Sequence, residues 1–317
     1  MRLNLVLIGI TNTVIDKIKR LSSALSANIC LILSISFLSG CTSLSTLFFY
    51  PQRSLVATPQ EAQLDYQNVW LRATDGTQLH AWWIPAQGDV TDTRTMLLYI
   101  HGNAENISTH SRSIYWLPQQ GVSVLALDYR GFGASSGQAK LPDVLQDLEA
   151  AVVWMKQEYP NKELMILGQS IGSALAINFA AQAADKYQVQ GLILDASFTG
   201  FATAARSAMS QSLLGWLVWP FTVLIPSQWD PIKHVDKIDL PVLLMHSPTD
   251  NIIPYRHGKK LHKRWQQAYP EQQLCWLDAK GRHVMSYAFP ELKQATLIFI
   301  THKNCAFTHS KSALLKP

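Results

Sequence analysis

The amino-acid sequence predicts an α/β fold, with a mostly parallel central sheet, helices on both faces and a small helical cap inserted late in the chain. Three observations lead there. Short unbroken apolar runs at 95–100, 122–127, 164–167, 189–194, 241–246 and 273–277 have the length and hydrophobicity of strands buried on both faces. Stretches with helical spacing separate many of them, which implies crossover connections and parallel pairing. Finally, nearly every polar residue of chemical interest falls at the carboxyl end of one of these runs, where open α/β sheets bind their ligands.

In chain order, residues 1–40 read as a secretory segment. Basic residues end at Arg20, a ten-residue apolar run follows at 29–38, and Leu38-Ser39-Gly40 precede Cys41. That ending resembles the lipobox of bacterial lipoproteins. It implies cleavage before Cys41, a lipid on Cys41 and, with Thr42 next, retention at the periplasmic face of the outer membrane. An uncleaved anchor is the alternative. However, residues 21–40 carry six serines and an asparagine, and the apolar run is too short to span a bilayer. Residues 41–66 read as a tether long enough to lift a domain off a membrane. The main α/β domain occupies 67–301, and 302–317 reads as a frayed tail.

Residues 69–74 and 78–84 flank Asp75-Gly76, a strong hairpin signal. Residues 108–120 read as a helix stopped at Gly121. The spacing of Val144, Leu148, Val152 and Met155 predicts a helix over 141–159. Further helices are predicted over 173–180, 255–269 and 290–301. Cys275 and Cys305 are left in an oxidising compartment, where they either pair or leave Cys275 as a buried thiol.

The stretch with most chemical content is Gly168-Gln169-Ser170-Ile171-Gly172. It lies between an apolar strand and a small-residue helix, the setting that forces a serine onto a strained turn with its hydroxyl exposed. The hydroxyl needs a base, and the base needs a carboxylate to fix its tautomer. Asp250 follows the 241–246 strand and His283 follows the 273–277 strand, giving the chain order Ser170, Asp250, His283. Asp195 also ends a strand and is a rival carboxylate. Asp128 reads as a holder of the turn through Gly131 and Gly133, and His101 and His246 as histidines that shape loops.

With His101-Gly102-Asn103 and Tyr129-Arg130-Gly131-Phe132-Gly133 added, the chain resembles the α/β-hydrolase superfamily over about residues 69–301. It is most similar to compact serine hydrolases with an H-G-N-A loop, a branch that includes acyl-thioesterases and esterases. The resemblance implies Ser170 as nucleophile, His283 as general base and acid, and Asp250 as orienting carboxylate. It also implies an oxyanion hole from the backbone N–H groups of Asn103 and Ile171, and no metal or cofactor. The sequence departs from that pattern at Ser247, where His-Gly is usual.

Residues 198–235 form the cap insertion. Phe201, Trp216, Trp219, Phe221 and Trp229 suit an acyl-binding lid, a seal over the core, or a membrane contact. No cluster of Arg or Lys flanks the elbow, which disfavours a strongly anionic substrate. Residues 1–40 hold four of the 27 bases and one of the 22 acids, leaving +2 on the remainder, no footprint for nucleic acid. The expected partners are a small hydrophobic acyl ester or thioester and, through Cys41, a membrane. An aminopeptidase or amidase of the same fold, and a non-catalytic binding lipoprotein, are the competing functions.

Overall fold

The apolar runs become the strands of one eight-stranded sheet. In a computed structural model describing residues 44–88, 92–209, 219–271 and 274–306, the strands are β1 (Gln67–Arg72), β2 (Gln78–Ile84), β3 (Thr95–Ile100), β4 (Ser123–Asp128), β5 (Glu163–Gln169), β6 (Val189–Asp195), β7 (Val242–His246) and β8 (Leu274–Asp278). They lie in the order β8-β7-β6-β5-β3-β4-β2-β1. Only β2 runs against its neighbours; β3 to β8 pair in parallel. Ile100 pairs with Gly168, Gln169 with Asp195, and Asp195 with Met245. This register brings the carboxyl ends of β3, β5, β6 and β7 to one edge of the sheet.

The helices are α1 (Ile107–His110), α2 (Asp143–Glu158), α3 (Ile171–Ala183), α4 (Phe201–Met209), α5 (Arg256–Ala268) and α6 (Pro290–His302). Each face of the sheet carries its own apolar cluster. Leu98, Ile166 and Leu194 belong to one face, and Leu97, Leu167 and Ile193 to the other. Alternate residues of one strand thus fill both clusters, as two-sided burial requires.

The helix expected over 108–120 is broken into α1 and two 3-10 turns, Ser111–Ile114 and Pro118–Gln120. Thr109, Ser111 and Ser113 turn their hydroxyls back onto the carbonyls of Asn106, Ile107 and His110. Pro118 supplies no N–H to extend the run.

Residues 44–66, expected to be a stand-off tether, instead form a strap against the domain. Phe49 is buried beside Tyr129 and Phe132, and Phe48 meets Phe201 edge-on at 5.0 Å. The Leu141 N–H donates to Ser45 Oγ, Tyr50 N–H to the Asn103 carbonyl, and Gly133 N–H to the Gln52 carbonyl. Adjacent aromatic side chains and backbone groups that find partners on three loops explain the docking. Residues 1–43, which hold the predicted secretory segment and Cys41, lie outside the described residues, as does the tail from 307 onward.

The tail does not begin free at 302. Cys305 is joined to Cys275 of β8 by a disulfide that closes a separation of 30 residues. Cross-linking a loop of that size removes enough chain entropy from the unfolded state to stabilise by about 3.6 kcal/mol. Cys305→Ser is therefore expected to lower the free energy of urea-induced unfolding by about 2–4 kcal/mol. A midpoint equal to that of the wild type would show that the cross-link leaves folding unaffected.

Candidate active site

Ser170 sits between the end of β5 and the start of α3 with φ 56° and ψ −120°, in the left-handed region that a residue with a side chain avoids. Close backbone packing holds it there. A Cβ on Gly168 would lie 2.4 Å from the Gly172 carbonyl oxygen, and one on Gly172 would lie 2.1 Å from that of Ile100. Neither position accepts alanine without moving backbone. Ser170 N–H donates to the Asp195 carbonyl at 2.9 Å. The Ser173 hydroxyl, one turn into α3, reaches the carbonyls of Gly168 and Asp195. The turn that carries Ser170 is thereby fastened to β6 as well as to its own strand.

Three loops then converge on the Ser170 hydroxyl. His283 Nε2 lies 2.9 Å from Ser170 Oγ, and His283 Nδ1 lies 2.7 Å from Asp250 Oδ2. A carboxylate only accepts, so Nδ1–H donates to Asp250 and the free Nε2 faces the serine hydroxyl. The other oxygen of Asp250 accepts from the N–H groups of Ile252 and Ile253 at 2.8 and 2.9 Å. Burial alone would push this carboxyl up. The hydrogen bonds from His283 and the two backbone amides outweigh it and hold Asp250 below its ordinary value, ionised beside the imidazole.

The rival carboxylate is otherwise engaged. Asp195 is fully buried and accepts from Gln169 Nε2 at 3.0 Å and from Ser286 Oγ at 2.7 Å; burial raises its pKa. Ser286 lies three residues beyond His283, so Asp195 anchors the His283 loop to the strand beside the Ser170 turn. The sequence reading missed this role, as well as those of Gln169 and Ser286. Ser247 was also undervalued. Its hydroxyl donates to the Gly281 carbonyl at 2.5 Å and accepts from Thr249 N–H, which stitches the loop of the acid to the loop of the base.

His246 and His101 hold loops, as expected. His246 Nε2–H donates to the Ile253 carbonyl at 2.8 Å, beneath the Asp250 turn. His101 stacks on Tyr129 at 4.3 Å, and the Tyr129 hydroxyl donates to the Gly102 carbonyl at 2.7 Å. Asp128 differs from expectation. Its Oδ1 accepts from Ile107 N–H at 2.8 Å, whereas the Gly131 and Gly133 amides bond to the carbonyls of Ser136 and Gln52. An Asp128 side chain at the end of β4 reaches the start of α1 more readily than it folds back over its own turn.

A pocket of about 560 Å³ opens beside Ser170, with Asn103 and Ile171 in its wall. Leu47, Phe48 and Tyr50 of the strap form one side. Phe198, Ala204, Ala205 and Ala208 form another, with Ile225, Ile252 and Ile253 completing it. No charged side chain lines it among the described residues. Among the described residues, the cap aromatics Phe201, Trp219, Phe221 and Trp229 do not line this pocket. Phe201 is buried in the core, Trp219 and Phe221 face outward, and Trp216 lies outside the described residues. The alanines of α4 leave the space, because a methyl group on that helix face stops short of the serine. Among the described residues no cluster of His, Cys, Asp or Glu is built to hold a metal ion.

Comparison with known proteins fits this architecture. Residues 91–230 match the family described as "Serine aminopeptidase, S33". The Escherichia coli O157:H7 protein YfhR is 31% identical over 220 residues, which cover 68% of this chain and 72% of that one. The lysophosphatidylserine lipase ABHD12 of Danio rerio is 27% identical over 265 residues, 74% of this chain and 69% of its own. Among solved structures, an esterase of Pyrococcus furiosus superposes with a TM-score of 0.67 at 22% identity, covering 80% of this chain and 98% of that one, a likeness of fold. Taken with the elbow and the strand order, these matches place the chain in the serine aminopeptidase S33 family of α/β hydrolases.

Proposed function

We propose that this hydrolase is a membrane-tethered serine esterase or thioesterase that works through an acyl-enzyme. The observation that carries the reading is the relay from Asp250 through His283 to Ser170, which opens directly into an uncharged pocket of about 560 Å³. That volume suits a small-molecule substrate. Ser170 Oγ attacks the acyl carbonyl while His283 Nε2 takes its proton. The oxygen that becomes negative is met by the N–H groups of Asn103 and Ile171, the latter at the positive end of α3. His283 then returns the proton to the departing alkoxide or thiolate. Water, activated by the same imidazole, later releases the acid and frees Ser170.

An aminopeptidase would need a carboxylate to receive the free amine of its substrate, and among the described residues none lines this pocket. The lipase activity named for ABHD12 belongs to that relative and agrees with an acyl substrate. Envelope placement rests on the lipobox-like ending at Cys41 and on the Cys275–Cys305 disulfide, which suits an oxidising compartment. Only Thr42, Ser43 and Leu44 lie between Cys41 and Ser45 in the sequence. The strap residues Leu47 and Tyr50, 63% and 61% exposed, also line the pocket.

Two outcomes are expected. For p-nitrophenyl esters, kcat/KM should rise with acyl length by up to about fourfold per methylene until the pocket fills, from the burial of each CH2. Ala208→Phe, which narrows the pocket, should move the optimum to shorter chains; a profile flat in chain length in both proteins would remove the acyl-pocket reading. In the second, Asp250→Asn should lower kcat on the order of ten-thousandfold while leaving the fold intact, because the imidazole loses its tautomer-fixing acceptor. A loss of less than about tenfold would mean that another group orients His283.

A further inference from the structure

A second cleft, of about 270 Å³, lies on the far side of α4 from the acyl pocket. Thr203, Arg206 and Ser207 stand three and four positions apart on α4 and line it, whereas Ala204, Ala205 and Ala208 turn to the acyl pocket. The facing wall comes from α5, where Arg256 and Lys260, one turn apart, flank the buried His257. Three cations thus share one small cleft. No carboxylate lines it, and among the described residues none of the three forms an ion pair with a carboxylate.

The cations are held in place by polar contacts rather than by counter-charges. Arg206 Nε donates to Thr222 Oγ1 at 2.7 Å and its guanidinium lies over the Trp219 ring at 5.1 Å. Arg256 Nη2 donates to Ser207 Oγ at 3.2 Å. His257 bridges Thr199 Oγ1 at 2.9 Å and Ser207 Oγ at 3.3 Å. Burial, with Arg256, His246 and Lys260 nearby, pushes His257 down to about 4, so at neutral pH it is an uncharged hub and not a fourth cation. Like charges gathered without a counter-ion repel one another, and two guanidinium forks with an ammonium match the oxygens of a phosphate.

We propose that the cleft between α4 and α5 binds a phosphate group, with Arg206, Arg256 and Lys260 as its charged ligands. One helix separates it from the acyl pocket. The phosphate therefore belongs either to the headgroup of an acyl ester whose chain reaches Ser170, or to a free phosphate that acts on the same helix. The binding itself requires nothing of Ser170; only the choice between these sources rests on the hydrolase reading above.

The test is calorimetric titration of inorganic phosphate into the full-length Ser170→Ala protein in neutral detergent, at fixed ionic strength with chloride as control. Saturable binding that chloride does not reproduce is expected. Loss of a charge-assisted contact should weaken it at least about tenfold in Arg256→Gln and in Lys260→Gln, with much of the loss recovered in Arg256→Lys. Both side chains are exposed, and cooperative thermal unfolding checks each variant. No saturable heat, or binding that Arg256→Gln and Lys260→Gln leave unchanged, overturns the proposal. With active enzyme, the ratio of KM for lysophosphatidic acid to KM for monoacylglycerol separates the sources. A ratio raised severalfold by Arg256→Gln assigns the phosphate to the substrate headgroup, and a ratio unmoved by that variant although its calorimetric phosphate binding is weakened assigns it to a free effector.

Discussion

The backbone contact between the Gly172 position and the Ile100 carbonyl is the constraint on which the site depends. Because no side chain fits there, α3 starts against the end of β3 and the chain between β5 and α3 must turn within one residue. That residue is Ser170, at φ 56°. Strain of this kind costs on the order of 1–3 kcal/mol and persists only where the surroundings over-determine it. Here the surroundings are the paired strands β3, β5 and β6, with Ser173 and the Ser170 amide both bonded to the carbonyl of Asp195.

Positioning of His283 and Asp250 follows a different logic, that of loops tied to one another. His283 belongs to a loop fixed from two sides, by Asp195 through Ser286 and by Ser247 through the Gly281 carbonyl. Asp250 lies in a turn closed by its own side chain on Ile252 and Ile253 and supported from below by His246. Buried polar groups with satisfied partners hold such loops more firmly than apolar contacts, because a lost partner leaves a desolvated group behind. The same principle extends to the strap. Its carbonyls at Gln52 and Ser54 accept from the Asn106 carboxamide, so the strap is fastened to the loop after β3.

Much of this was legible in the sequence, for identifiable reasons. Buried parallel strands announce themselves by continuous hydrophobicity, and Ser170 by flanking glycines whose spacing reflects a local steric demand. Asp250 and His283 could be named because each follows a strand whose end is fixed by the sheet. What escaped was whatever depends on distant segments meeting. Arg206 lies 50 residues from Arg256, and nothing local marks them as neighbours; only the packing of α4 beside α5 gathers them, where the sequence had suggested no cationic cluster. Ser247 looked like a departure from pattern because its partner, the Gly281 carbonyl, lies 34 residues on. The strap read as a tether because its backbone partners belong to loops after β3 and β4. The helix over 108–120 failed because hydroxyl side chains compete for the carbonyls that a regular helix would use.

The claim that the rest hangs on is an activated hydroxyl at Ser170. Its most direct test is mass-spectrometric mapping of the adduct formed when the full-length protein reacts with a fluorophosphonate. The expected result is a single phosphonylated site at Ser170, formed fast in the wild type and orders of magnitude more slowly in His283→Ala. A folded wild-type protein that forms no adduct, or one modified at a different residue, would contradict the account.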